Sequence, residues 1–306
     1  MRGLVIKSTG SWYQVHGEDG REYDCRIKGK FRIKGIQTTN PIAVGDQVEF
    51  EMEPNSDNGV IHKLHVRKNY IIRKSINLSK QAQIIAANMD QAFLVVTLAS
   101  PRTSLGFIDR FLVTAEAYSI PAVLIFNKLD LYNEDGLEVL EEYKAIYEQL
   151  GYPCYTVSAI EGTNIPLIES LLKDQTTLFS GHSGVGKSSL INALLPGRSI
   201  KTGEISESSD KGQHTTTFAE MHTLPFGGYL IDTPGIRELG IYDIKPEELS
   251  HYFREMRDRM HLCKFHNCRH LNEPGCAVLQ AVENEEIAGS RYDSYLSIYH
   301  NNETRS

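Results

Sequence analysis

The segment Gly181-His182-Ser183-Gly184-Val185-Gly186-Lys187-Ser188 places its glycines and its Lys-Ser pair at the spacing that wraps backbone N–H groups around phosphate oxygens. In that chemistry Lys187 reaches the outer phosphates, Ser188 offers an oxygen to magnesium, and Ser189 continues the cradle into a helix. Upstream lies Asn127-Lys128-Leu129-Asp130. The Asp130 carboxylate can accept two hydrogen bonds from the N1 and N2 groups of guanine, a donor pair that adenine does not present. The Lys128 stem can cover the face of the base, and Asn127 can hold the loop or address the base. Ser158-Ala159 matches an accessory base-binding element. The base-reading segment precedes the phosphate loop, whereas ordinary GTPases have the opposite order. The arrangement predicts GTP and GDP as ligands and a circularly permuted fold.

Asp232-Thr233-Pro234-Gly235 follows the apolar pair Leu230-Ile231. In a phosphate-loop enzyme such an Asp acts on magnesium, and Gly235 can donate its amide to the terminal phosphate. Thr215, Thr216 and Thr217 lie between these segments, and spacing to the next strand favours Thr216 as the residue that closes over magnesium. Ile236 stands where many GTPases place a water-orienting Gln, and an aliphatic side chain cannot do that work. His214 is the best local substitute, able to orient or polarise water near neutral pH. Lys187, Thr216 and His214 are therefore the candidate catalytic residues.

A second constellation, Cys263, Cys268, His270 and Cys276, offers four ligands of the kind that close a tetrahedral structural zinc site. His261 and His266 compete for the histidine position, with the spacing to His270 easier to close. The residues from about 241 onwards carry few apolar side chains, which gives a metal staple a physical motive.

The elements that must position these groups are legible in outline. Continuous apolar runs at 93–98 and 122–126 read as parallel strands covered on both faces. Helical spacing over 107–119, 138–150 and 165–172 alternates with them, as in a doubly wound parallel sheet. A strand at 177–179 enters the phosphate loop, and a helix over 187–195 leaves it. Residues 69 to about 88 read as a connector. Before them, short β-branched and aromatic segments separated by Gly, Asn and Asp predict a small β-barrel, the OB fold being the usual one of this size that binds oligonucleotides. The predicted division is a barrel over 1–68, a permuted α/β phosphate-loop GTPase over 69–240 and a mainly helical zinc-binding region over 241–306.

The chain has 306 residues, 41% hydrophobic and 23% charged, with a formal net charge of −7. That balance describes a folded protein that does not coat nucleic acid over its whole surface. Charge is segregated, however. Residues 1–35 carry eight Lys or Arg against four acids, and 67–80 carry five bases and no acid. Trp12, Tyr13, Tyr23 and Phe31 interleave with these bases, which suits base stacking or simply a barrel core. No apolar run is long enough to span a membrane, and the N-terminus has no signal-peptide pattern, so a cytoplasmic protein without a membrane partner is expected.

Taken in order, Asn127 to Asp130, Ser158-Ala159, Gly181 to Ser188, Gly212-Gln213-His214-Thr215-Thr216-Thr217 and Asp232 to Gly235 resemble the bacterial small ribosomal subunit biogenesis GTPases (ribosome small subunit-dependent GTPase A). The barrel before them and the Cys263 to Cys276 cluster after them fit the same family, as do Pro41 to Asp46 and Asn88-Met89-Asp90. The resemblance implies an OB domain, a permuted GTPase domain and a zinc domain in a monomer. It implies binding to the small subunit and its 16S rRNA near the decoding region, late in assembly, with hydrolysis stimulated by the subunit. It also implies that His214 is the catalytic histidine. The competing reading is an RNA-binding scaffold that holds GTP with little turnover. Because Asp232 to Gly235 would be the last element before the zinc region, the phosphate state is expected to reach that region through residues 236–245.

Overall fold

The computed structural model describes residues 1–27, 41–74, 82–196, 219–232 and 244–303. Five short strands open the chain: β1 (Arg2–Ser8), β2 (Tyr13–Gly17), β3 (Glu22–Ile27), β4 (Gln47–Met52) and β5 (Gly59–Leu64). β1, β2 and β3 pair antiparallel in succession, β3 pairs parallel with β5, β5 pairs antiparallel with β4, and β4 returns to β1. Among the described residues this circuit is a closed five-stranded barrel of the OB type. Alternation along the strands turns Val5, Tyr13, Val15, Cys25, Val48, Phe50 and Ile61 into one core.

The barrel aromatics divide accordingly. Tyr13 is a core residue, and Tyr23 packs on Phe50 at 5.2 Å while donating to Asp19. Trp12 is 43% exposed at the β1–β2 turn, and Phe31 lies outside the described residues. Several bases have acidic partners: Arg26 with Glu53, Lys63 with Glu49 and Arg67 with Asp46.

The connector expected at 69–88 contains an antiparallel hairpin of β6 (Tyr70–Lys74) and β7 (Ala82–Ala87). Tyr70-Ile71-Ile72 and Ile84-Ile85-Ala86 are apolar on both faces, so they lack the alternation by which a hairpin is recognised in sequence. Val44 bridges Ala86, and Gly45, at φ +89°, lies so close to the Ala87 carbonyl that any Cβ would overlap it. Asn88 then accepts from Lys68 N at 2.8 Å and donates to Gly45 O at 2.8 Å. Asp90 accepts from Thr176 N at 2.9 Å, so the barrel, the hairpin and the central sheet meet at Asn88-Met89-Asp90.

The central sheet contains β8 (Gln91–Val96), β9 (Ala122–Phe126), β10 (Cys154–Thr156), β11 (Thr176–Gly181), β12 (Glu220–Thr223) and β13 (Tyr229–Asp232), in the order β10-β9-β8-β11-β13-β12. All neighbours are parallel except β12 with β13. One core contains α1 (Leu105–Ala117) and α2 (Glu134–Gln149), and another contains α3 (Ile165–Leu172) and α4 (Lys187–Leu194). Ser104 caps α1 by accepting from Phe107 N, and Asn133 caps α2 by accepting from Gly136 N. The α2 cap starts that helix four residues before the position expected from periodicity.

The C-terminal region has a 3-10 turn at Pro246–Tyr252, then α5 (Arg254–Arg257), α6 (Ala277–Glu283) and α7 (Gly289–Glu303). It buries more than its composition suggests. Leu249, Phe253, Met256, Val278, Ile287, Tyr295, Ile298 and Tyr299 form a core completed by Val113 of α1. Tyrosines supply apolar ring area while their hydroxyls stay bonded, as Tyr295 does to Arg269 O at 2.6 Å. The few apolar residues read from the sequence are thus supplemented by tyrosine rings and by a side chain contributed from α1, which the local sequence does not reveal.

Candidate functional site

β11 runs into the phosphate loop at the centre of the sheet, flanked by β8 and β13. Gly184 and Gly186 have φ of +86° and +84°, a region in which a Cβ is strained. At Gly186 a Cβ would also overlap Asn127 Nδ2. Asn127 is buried; its amide donates to Val185 O at 2.9 Å and accepts from Ala159 N at 3.2 Å. This side chain therefore ties the loop that follows β9 to the phosphate loop on one side and to Ser158-Ala159 on the other. The holding role open to Asn127 is visible in these two bonds.

Around it, Tyr132 donates to Asn127 O at 2.8 Å and accepts from Leu98 N at 3.0 Å. Ser158 donates to Asp130 Oδ1 at 2.5 Å and accepts from Glu161 N at 3.2 Å, fixing one carboxylate oxygen. Lys128, at φ +64°, donates to Ser100 O. On the phosphate side Lys187 Nζ meets Asp232 Oδ1 at 2.5 Å, and both side chains are largely buried. The parallel pairing of Phe179 with Asp232 brings this acid level with the end of β11. Ser183, Ser188 and Ser189 are all on the loop or the first turn of α4. His214, Thr216 and Gly235 lie outside the described residues.

Two features of this site escaped the motif reading. The His182 ring stacks on Phe107 of α1, with centroids 3.6 Å apart and planes at 28°. The loop after β8 is folded back by Thr97, which donates to Pro101 O at 2.5 Å and whose amide donates to Thr103 Oγ1 at 3.1 Å. Pro101 thereby lies against Gly184, and Ser100 O meets Lys128. The available signal was position: these residues directly follow the carboxyl end of a central parallel strand, where open α/β sheets bind ligands.

Far from this loop in sequence, Cys263, Cys268, His270 and Cys276 bring their ligand atoms within 4.8 Å of one another and could hold a metal ion. Cys263 Sγ is 3.7 Å from His270 Nδ1 and 4.0 Å from Cys276 Sγ, and His270 Nδ1 is 3.3 Å from Cys276 Sγ. A tetrahedral ion with bonds of about 2.0–2.3 Å separates its ligand atoms by roughly 3.5–3.8 Å, so the set fits one. His261 and His266 are exposed and outside the cluster. Burial pushes the His270 pKa down, favouring the neutral imidazole that binds metals. Leu279 N donates to Cys276 Sγ at 3.4 Å from the first turn of α6. Burial pushes the Cys25 and Cys154 thiols up to about 12, as suits inert core cysteines.

The RsgA GTPase family model matches residues 64–242, and the RsgA N-terminal domain model matches residues 2–61. The chain is 54% identical to the small ribosomal subunit biogenesis GTPase RsgA of Bacteroides fragilis, across 99% of this chain and 97% of that one. It is also 54% identical to the protein of the same name from Flavobacterium psychrophilum, across 97% and 92%. Among solved structures, YjeQ from Thermotoga maritima superposes with a TM-score of 0.79 at 40% identity, covering 98% of each chain. YloQ, described as a circularly permuted GTPase, gives 0.76 at 32% identity, covering 100% of this chain and 96% of the other.

Proposed function

Because the chain belongs to the RsgA GTPase family, we propose that it hydrolyses GTP in the late maturation of the small ribosomal subunit, binding 16S rRNA near the decoding region. The observation that carries this reading is the Asn127 cross-tie, which joins the guanine-reading segment and the phosphate loop into one site. Asp130 reads the guanine edge, Lys128 and Ser158-Ala159 bound the base, and residues Gly181 to Ser189 hold the phosphates. Lys187 turns from Asp232 to the outer phosphates, and Asp232, Ser188 and Thr216 would hold magnesium, which would offset phosphate charge. Gly235 donates to the terminal phosphate, and His214 orients the attacking water.

In this reading the Cys263, Cys268, His270 and Cys276 set takes zinc in a closed structural site. The barrel occupies 1–68, the GTPase 69–240 and the metal-binding region 241–306. Among the described residues no helix is long and apolar enough to cross a membrane. We place the protein in the cytoplasm as a monomer. GTP turnover measured with and without purified small subunits tests the function. Stimulation is expected; tight GTP binding with no stimulated turnover at near-physiological salt would instead favour a GTP-holding RNA scaffold.

A further inference from the structure

α1 has two unlike surfaces in use. Near its start, Phe107 stacks on His182 of the phosphate loop at 3.6 Å. Asp109, Val113 and Glu116, spaced four and three residues apart, form one stripe of the helix. That stripe grips the C-terminal region. Asp109 accepts from Arg291 Nη1 of α7 at 2.7 Å and from Tyr147 of α2 at 2.8 Å. Arg291 also donates through Nε to Glu255 of α5 at 2.7 Å, and all three charged residues are buried. Val113 lies in the C-terminal core. Glu116 accepts from Arg254 at 2.7 Å and Arg257 at 3.2 Å. α7 in turn reaches the metal cluster, since Tyr292 donates to His270 O at 2.8 Å.

We propose that Phe107 is a positioning residue for the phosphate loop, stacking on His182 to hold the loop on a helix that the metal-bearing C-terminal region seats. The proposal rests on the GTP-site reading above. A buried ion pair resists displacement, because separating it strands a charge in an apolar setting. The Asp109–Arg291–Glu255 set therefore couples α7 to α1, and α1 carries Phe107. This route is continuous through described residues and is separate from the expected path through 236–245. Coupling of this kind is reciprocal: a partner on the C-terminal region alters nucleotide affinity, and nucleotide alters affinity for that partner.

The test is a double-substitution cycle in the full chain, read by titration with fluorescent GDP and by KM and kcat for GTP with small subunits. Phe107→Leu and His182→Ala should each weaken GDP binding about fivefold, in the usual range for coupled sites. Combined, they should weaken it no further, because both remove the same contact. Phe107→Tyr should restore affinity, since an aromatic face and not apolar volume is required. Asp109→Asn should raise KM in the native background and leave it unchanged beside Phe107→Leu. Should Asp109→Asn fail to fold, Glu116→Gln makes the same comparison. Effects that multiply to roughly 25-fold would overturn the positioning role while leaving the GTP site standing. A native chain that binds neither GDP nor GTP would overturn the reading of the site, and this proposal with it.

Discussion

The nucleotide site and the metal cluster draw on the chain in different ways. Asn127 and Val185 are 58 residues apart in sequence and meet only because β9 and β11 belong to one sheet. The four metal ligands fall within a stretch of fourteen residues and are drawn together by turns and the start of α6. At the first site the strands hold the loops around Asn127 through protein hydrogen bonds alone. The second concentrates three thiols and an imidazole within reach of a single metal ion. Preorganisation by a sheet and closure by an ion are thus two routes to a fixed polar site.

Removing the metal proposed for the Cys263 to Cys276 set is the strongest way to break this comparison. Chelation, or Cys268→Ala, should cost several kcal/mol locally, since the binding free energy of a structural zinc site is folding free energy. Residues 260–276 should become sensitive to proteolysis first, while GDP affinity falls by only a small factor. Equal loss in both places would erase the distinction.

Asp130→Ala should come next, weakening guanine nucleotides by about 3 kcal/mol through loss of charge-assisted hydrogen bonds. Competition between GDP and ADP reads the lost discrimination directly. Asn127→Ala should cost about 2 kcal/mol, because it strands Val185 O and Ala159 N at once. Its melting temperature should drop together with GDP affinity, which separates a holding role from a base-contacting one.

The smallest effect concerns Glu273, whose carboxylate closes the metal-bearing turn by accepting from the amides of Arg269, Leu271 and Asn272. Partial burial pushes its pKa up, but these three donors outweigh that and hold it down at about 2. A depressed carboxylate stabilises the fold fully above its ordinary value of 4.5 and loses that contribution as pH falls through about 2. The melting-temperature gap between the native chain and Glu273→Gln should therefore be constant above pH 5 and shrink toward pH 2, by thermal denaturation across that window.

Much of the site was legible from spacing. The phosphate loop, the Asn127 to Asp130 segment and the Cys263 to Cys276 set are short motifs whose chemistry requires particular residue types at fixed offsets. Helix α3 has the limits its spacing predicts, and the barrel strands are marked by short β-branched and aromatic segments between Gly, Asn and Asp turns. The β6–β7 hairpin was not legible, because both of its faces are apolar. The Phe107–His182 stack joins residues 75 positions apart, a distance over which no local pattern operates.

The sequence by itself pointed to the chemistry: guanine against adenine, phosphate cradling and metal ligation by three cysteines and a histidine. Order along the chain also determined the permutation. Tertiary structure alone decided that Asn127 ties two loops together, that His270 and not His266 joins the cysteines, and that the C-terminal region is seated on α1. Residue type sets what a side chain can bond. Which partner comes within 3 Å depends on strands and helices packing from distant parts of the chain, and no motif encodes that.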